Sequence, residues 1–244
     1  MAALVQGVSA ASAASGPQQR SFNPYSDNGG TILAISSSDF CLIAADTRQS
    51  EGYSIQTRTA RKVFQLTDNV VMAVVGFQAD GTALQKRLKQ RLEWYYHEHG
   101  EQLSLPSIAR LVQTMLYGKR FFPYYTNVIL GGIMPDGTGG VYSFDPVGSY
   151  ERESCRAAGA ASSLVQPFLD NMVYGKNQQP DPAATDSEQT AVRPVLSYDK
   201  VRSLVVDAFT GATERQIEVG DGLIVIALRR GQPIEETFLP LKRD

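Results

Sequence analysis

The chain has 244 residues, of which 43% are hydrophobic, and its 23 basic and 25 acidic residues leave a formal net charge of −2. This length and apolar content can bury one sizeable core, so we expect a single domain. A balanced charge argues against a nucleic-acid partner, and the absence of an apolar run of roughly 20 residues argues against a membrane span.

The N-terminal residues 1–20 are small and polar, and no charged segment precedes an apolar core. They therefore do not resemble a secretory signal, and we interpret them as a flexible leader that is disordered or removed, followed by a domain over 21–244. The two cysteines, Cys41 and Cys155, are too few for a disulfide framework. Their strand-like surroundings indicate buried thiols in a reducing compartment.

The first regular elements are two apolar strands over 31–37 and 40–45, joined by Ser-Ser-Ser-Asp. This pattern predicts a β-hairpin. Asp46 ends the second strand and Lys62 opens the next apolar run, so we expect two opposite charges to face one neighbourhood. If the chain carries out any chemistry, we expect it there. In the polar loop over 47–61 we expect the charged side chains to be exposed to solvent. We make no prediction of the loop's conformation.

The rest of the chain alternates between strand and helix patterns. The residue pattern predicts strands at 62–66, 70–77, 128–134, 140–144, 149–158, 223–228 and 233–238. Helical spacing predicts four helices, which begin near 81, cover 107–117 and 162–173, and start at a Ser197 cap. The proline-containing stretch 176–194 is interpreted as a mobile insertion. This order of elements is typical of an α+β protein.

Two further patterns have a functional and a structural interpretation. His97 and His99 lie two residues apart on a predicted helix, where they do not share a face, so we predict no metal site. The segment 119–127, KRFFPYYTN, could stack on nucleic-acid bases. With so little positive charge elsewhere, we favour a packed corner or a subunit contact.

The segments GGTILAI, LIAADTR and RKVFQL resemble the beta subunits of the 20S proteasome, which are N-terminal nucleophile hydrolases. The resemblance extends from about Phe22 to Asp244 and implies a four-layer αββα sandwich. In active members, a threonine freed at the chain terminus attacks the peptide and its α-amine acts as the base, while a lysine and an aspartate tune the site. Lys62 and Asp46 match that lysine and aspartate.

The same alignment places the nucleophile at Gly30, which has no hydroxyl. Three other functional positions are also changed, to Ala160, Gln216 and Val219. Loss of the nucleophile alone costs on the order of a million-fold in a serine protease. The resemblance therefore implies a non-catalytic member that needs no metal or other cofactor, in which Asp46 and Lys62 are vestigial.

Thr31 offers one alternative, because cleavage before it would create a terminal threonine. Side chains alternate along a strand, so Thr31 should point away from the two charged residues. A second rival is a binding module on the same fold, with a ligand pocket near Asp46 and Lys62.

Four longer segments narrow the resemblance: NGGTILAI, YGKRFFPYY, YSFDPVGSYERE and ATERQIEVGDG. They resemble the fungal-like form of the non-catalytic subunit at the sixth place in the seven-membered beta ring. This implies a structural role in ubiquitin-dependent protein degradation, in cytoplasm and nucleus. The implied partners are the beta subunits at the fifth and seventh positions, the alpha ring and the opposite beta ring.

Two residue-level expectations follow from this narrower resemblance. Asp145 falls where the sixth subunit lines the substrate cleft of its fifth neighbour, although it could equally cap the turn into Pro146. An active neighbour is expected to trim the leader, so that the mature chain starts near Ser21.

Overall fold

A computed structural model describes residues 22–176 and 196–244. The predicted leader over 1–20, its junction at Ser21 and all but the first residue of the predicted 176–194 insertion lie outside these residues. The helices are α1 (Gln78–His99), α2 (Leu105–Tyr117), α3 (Ser162–Tyr174) and α4 (Tyr198–Arg215). The strands are β1 (Thr31–Ser36), β2 (Phe40–Asp46), β3 (Gln49–Glu51), β4 (Ser54–Thr57), β5 (Val63–Gln65), β6 (Val70–Gly76), β7 (Thr126–Ile133), β8 (Gly139–Phe144), β9 (Tyr150–Glu153), β10 (Cys155–Gly159), β11 (Gly222–Arg229) and β12 (Glu235–Pro240).

Two antiparallel sheets occupy the middle of the fold. The first has the strand order β10-β1-β2-β11-β12, and the second has the order β5-β6-β7-β8-β9. β1 and β2 form the predicted hairpin, with Ile32 opposite Ala45 and Ser36 opposite Cys41. β3 and β4 make a separate two-stranded ribbon.

The alternation of β1 shows how these sheets are layered. Leu33 and Ile35 pack into a core with α3 and α4, whereas Ile32 and Ala34 face the second sheet. This follows from the two-residue period of a strand. On the outer face of the second sheet, α1 and α2 contribute a third core. The predicted four-layer αββα sandwich is therefore confirmed.

One strand prediction was wrong. The segment 149–158 forms two strands in different sheets, because the chain crosses from one sheet to the other at Ser154. β9 pairs with β8, whereas β10 pairs with β1. No glycine, proline or asparagine interrupts the segment 149–158, so its sequence carries no turn signal for such a crossing.

The other helix and strand predictions agree with the structure to within a few residues. The Ser197 cap is confirmed, because its side chain accepts a hydrogen bond from the Lys200 amide at 3.4 Å. Cys41 and Cys155 are free buried thiols, and burial raises the pKa of Cys41 to about 12. Within the described residues, no helix is long and apolar enough to cross a bilayer, and no three potential metal-binding side chains cluster.

Candidate functional site

The predicted charge pair forms where β2 ends and β5 is about to begin. Lys62 Nζ lies 2.7 Å from Asp46 Oδ1, and the two side chains are 2% and 0% exposed. The expectation that these residues meet is therefore confirmed. A buried ion pair of this kind must be supported by further hydrogen bonds, because both charges have lost their contact with water.

Backbone groups supply that support. Lys62 Nζ also donates to the Arg48 carbonyl at 2.6 Å, and the Thr31 amide donates to Asp46 Oδ1 at 2.8 Å. Burial raises the pKa of the Asp46 carboxyl above its ordinary range, although the charge and hydrogen bond of Lys62 and the Thr31 amide oppose the rise. The pair therefore links the start of β1 to the end of β2 and to the backbone at Arg48 through hydrogen bonds.

Gly30 lies against this pair and leaves no room for a side chain. Its backbone is left-handed, with φ of +83°, and a Cβ there would lie 2.1 Å from Lys62 Nζ and 3.2 Å from Asp46 Oδ1. The amine of Lys62 therefore occupies the space that a side chain at this position would need. The residue that the resemblance matches to the nucleophile is next to both charged groups, but it offers no atom for them to activate.

Thr31 carries the nearest hydroxyl along the chain, and it points elsewhere. Its Oγ1 accepts a hydrogen bond from the Ala161 amide at 2.9 Å, immediately before α3. It shares a strand face with Leu33, which packs towards α3 and α4. The hydroxyl of Thr31 is therefore bonded to the start of α3, and it is the Thr31 amide that contacts Asp46.

Two other predicted positions adjoin Gly30. The Ala160 amide donates to the Gly30 carbonyl at 2.9 Å, and Gln216 Nε2 donates to the Ala160 carbonyl at 3.3 Å. Val219 follows closely in the chain, but its side chain is buried in the core formed with α3 and α4. The structure thus brings Gly30, Ala160 and Gln216 together. Val219 instead packs in the apolar core.

Glu218 is a charged residue of this neighbourhood that sequence reasoning missed. It is half-buried, and its Oε2 accepts from Gln216 Nε2 at 3.1 Å. Burial raises the pKa of Glu218, the charges of Asp27 and Asp46 add to the rise, and Lys62 opposes it. Glu218 lies between Ile217 and Val219 without a pattern around it, so the sequence alone does not indicate that it belongs to this site.

A second buried ion cluster was also missed. Arg48 Nε lies 2.8 Å from Asp221 Oδ2 and Arg48 Nη1 donates to the Ile217 carbonyl at 2.8 Å, while Arg58 pairs with the same aspartate. Burial would raise the pKa of Asp221, but the hydrogen bonds and charges of Arg48 and Arg58 outweigh it and lower the pKa. The expectation that the charges of the 47–61 loop are solvated is therefore wrong for Arg48, whose side chain is only 3% exposed.

A cleft of about 800 Å³ reaches Gly29 and Ala160, and Asp145 lines it together with Glu218. Asp145 Oδ1 accepts hydrogen bonds from the amides of Val147 at 3.0 Å and Ser149 at 2.7 Å. These contacts bear out the interpretation that Asp145 caps a turn. They do not involve a neighbouring subunit, so the predicted contribution to a neighbour's cleft stays a prediction.

Comparisons with known proteins identify relatives over most of the chain. A family model described as "Proteasome subunit" matches residues 26–208. The chain is 53% identical over 230 residues to proteasome subunit beta type-6 of Saccharomyces cerevisiae, covering 93% of this chain and 94% of the relative. It is 42% identical over 229 residues to proteasome subunit beta type-1 of Danio rerio, covering 94% and 92% respectively. It is also 43% identical over 227 residues to proteasome subunit beta type-1 of Arabidopsis thaliana, covering 93% and 99%.

Proposed function

The chain belongs to the family of proteasome beta subunits of the 20S core, and from this premise we propose that it is a non-catalytic member. It would form part of the inner beta ring and shape the chamber in which other subunits cleave substrates. Its contribution to ubiquitin-dependent protein degradation would therefore be made by its surfaces.

The observation that carries this proposal is the geometry at Gly30. A nucleophile needs a hydroxyl beside the lysine and aspartate, but Gly30 has no side chain and Lys62 Nζ fills the adjacent space. Ala160 and Gln216, which adjoin Gly30, also depart from the family's active pattern. Asp46 and Lys62 have a structural role instead, since their hydrogen bonds hold the Thr31 amide and the Arg48 carbonyl.

The four long segments quoted above support a place at the sixth position of the ring. The subunits at the fifth and seventh positions would then be its neighbours, with further contacts to the alpha ring and to the opposite beta ring. The particle would act in the cytoplasm and the nucleus. Since this chain would lack a nucleophile, an active neighbour would trim the leader near Ser21.

The experiment is to purify the native complex through this chain and to measure the intact mass of the chain and the composition of the complex. We expect a start near Ser21, together with other alpha and beta subunits. The same sample is treated with an electrophile that labels N-terminal threonines. Label should appear on other beta subunits and be absent from this chain.

Two results would overturn the proposal. A chain that starts at Thr31 and carries the label would be an active threonine protease. The hydrogen bond from the Ala161 amide to Thr31 Oγ1 is an observation against that outcome. A stable monomer recovered without other subunits would favour a binding module on the same fold.

A further inference from the structure

The segment that leads into β1 contains the one Asn-Gly pair of the sequence, Asn28-Gly29. In such a pair the amide nitrogen of the glycine can attack the side-chain carboxamide of the asparagine, because the glycine has no side chain to obstruct the approach. The cyclic succinimide forms with release of ammonia, and water then opens it to aspartate or isoaspartate. Asparagine is accordingly among the thermolabile residues. Asn28 is therefore a candidate site of chemical modification.

The fold uses every polar group of Asn28. Its amide donates to the Gly76 carbonyl at 3.2 Å, and its carbonyl accepts from the Ser50 amide at 3.1 Å. In the side chain, Nδ2 donates to the Ser50 carbonyl and to Gln56 Oε1, each at 3.3 Å, and Oδ1 accepts from the Gln78 amide at 2.9 Å. This last bond gives the start of α1 a side-chain acceptor that its own N-cap residue does not provide. Asn28 thus joins β3, β4 and β6 to α1.

The backbone at Gly29 requires glycine. Its φ is +63°, in the left-handed region, and a Cβ there would lie 2.8 Å from both Glu218 Cβ and Ser50 Oγ. The fold therefore needs both members of the pair, Asn28 for its hydrogen bonds and Gly29 for its lack of a side chain. The reactive dipeptide is a consequence of the architecture at this point.

Three features of the folded chain oppose the reaction. Asn28 is only 7% exposed, so water and hydroxide have little access to it. The Gly29 amide donates to Asp27 Oδ1 at 3.0 Å, and this bond must break before the nitrogen can attack. Ring closure must also turn the carboxamide and the main chain of Asn28, whose hydrogen bonds hold both in place. The reaction therefore requires local opening of the segment.

The product does not fit the place that Asn28 leaves. Deamidation replaces Nδ2, a donor, by a carboxylate oxygen, which only accepts. That oxygen would face the Ser50 carbonyl and Gln56 Oε1 without a hydrogen between them, and a buried charge without donors is costly. Isoaspartate also lengthens the main chain by a methylene, so the amide and carbonyl of residue 28 lose their register with Gly76 and Ser50.

We propose that Asn28 is a deamidation site that the fold keeps inactive, and that the reaction irreversibly marks chains whose segment 22–29 has been released from β3 and β6. The overall chemistry is a hydrolysis, in which water enters and ammonia leaves, and nothing is oxidised or reduced. This inference goes beyond the proposed function, because it concerns the integrity of the chain in whichever complex it is found.

The first experiment follows the mass of the peptide that contains Asn28. The native chain, in the complex in which it is recovered, is compared with the same chain in guanidinium chloride at one pH and temperature. Deamidation should be at least about tenfold faster in the denaturant. Asn23 is the internal control, because the nitrogen of Pro24 carries no hydrogen and cannot close the ring. Equal rates in the two states, or no reaction at Asn28 in the denaturant, would overturn the proposal.

The second experiment tests whether the product is excluded from the native contacts. Asn28→Asp introduces the carboxylate, whereas Asn23→Asp adds the same charge at an exposed residue of the same segment. Hydrogen–deuterium exchange of the Ser50 amide reports its bond to the carbonyl of residue 28. We expect this exchange to be about tenfold faster in Asn28→Asp and unchanged in Asn23→Asp. Unchanged exchange in Asn28→Asp would contradict the proposal.

A third measurement uses the unaltered chain, so it remains decisive if Asn28→Asp does not fold. A native sample is aged and then treated briefly with a protease. Isoaspartate at residue 28 should be confined to the chains that are cut within 22–29, and isoaspartate in resistant chains would overturn the proposal. Recovery of the native chain as a monomer would contradict the proposed function but leave these three tests in force.

Discussion

Gly30 and Lys62 share a single volume. A Cβ built on Gly30 would fall 2.1 Å from Lys62 Nζ, and that amine is held in place by Asp46 Oδ1 and the Arg48 carbonyl. The absence of a side chain at residue 30 and the position of the lysine are therefore mutually dependent. A substitution at either residue should therefore disturb the position of the other.

Gly30→Ala should destabilise the chain more than Gly52→Ala. Both glycines have positive φ, +83° and +58°, but a Cβ at Gly52 would meet nothing within 4 Å. Gly52→Ala should cost about 1–2 kcal/mol for the left-handed backbone, and Gly30→Ala about 1–3 kcal/mol more because Lys62 must move. Urea unfolding of the two full-length variants measures the difference, and equal costs would mean that the amine can move without loss.

Lys62→Met should lower the free energy of unfolding at pH 7 by about 3–5 kcal/mol, because it leaves the Asp46 carboxyl buried without its partner. The double variant Asp46→Asn with Lys62→Met should recover part of this loss, since it removes the unpaired charge. Denaturant midpoints of both variants and of the unaltered chain provide the measurement.

Arg61→Met is the matched control for Lys62→Met. Arg61 pairs with Glu236 at 2.6 Å, but the two side chains are 45% and 44% exposed. Loss of such an exposed pair should cost about 0–1 kcal/mol. If the two substitutions cost the same, the buried pair does not have the structural role described here.

Asp221→Asn should be costly at neutral pH and much less costly in acid. The pKa of Asp221 lies below its ordinary value of 3.8, so the native state releases this proton more readily than the unfolded chain. Its stabilising contribution is therefore present above pH 3.8 and is lost as the pH falls through the lowered native pKa. Asparagine suits this test because it tolerates the left-handed backbone of this residue, φ 69°.

Unfolding of Asp221→Asn and the unaltered chain would be measured at pH 7 and at successively lower pH. We expect a difference of about 3–5 kcal/mol at pH 7, because the buried Arg48 loses its buried carboxylate partner and keeps only the exposed Asp244 at 3.0 Å. The difference should narrow below pH 3.8. A constant difference would show that the carboxylate charge makes no contribution.

Asp145→Asn tests the predicted contribution to a neighbour's cleft without removing the turn. The amide oxygen can still accept hydrogen bonds from Val147 and Ser149, whereas Asp145→Ala removes that acceptor as well. If the carboxylate contacts the neighbour's substrate, loss of one partly exposed charge contact should change kcat/KM for the fifth subunit's substrates by about two- to fivefold in assembled particles. Unchanged kinetics in both variants would mean that Asp145 only caps its own turn.

Local sequence patterns predicted the elements of the fold better than the contacts between distant segments. Local apolar patterns are enough to predict which side chains of these elements are buried. Examples are the helical spacing of Leu84, Leu88 and Leu92 and the alternation of β1. The meeting of Asp46 and Lys62 was predictable because both are charges at the ends of apolar strands.

The missed features depend on partners far along the chain. Arg48 and Asp221 are 173 residues apart in sequence, so no local pattern indicates that their charges neutralise each other in the interior. The crossing at Ser154 was missed for a related reason, since only the strand partners of β9 and β10 distinguish the two sheets. Glu218 joins the site through the fold of the segment after α4 and leaves no periodic signal.

The central strand of the first sheet, β2, should be one of the last parts of the fold to open. All seven residues of β2 are buried, and its two edges are hydrogen-bonded to β1 and β11. Its amide protons can therefore reach solvent only when the whole sheet opens, so their rate of hydrogen–deuterium exchange should report the global free energy of unfolding. Asp46 belongs to this strand, so the carboxylate that faces Gly30 lies in the part of the fold with the least freedom to rearrange.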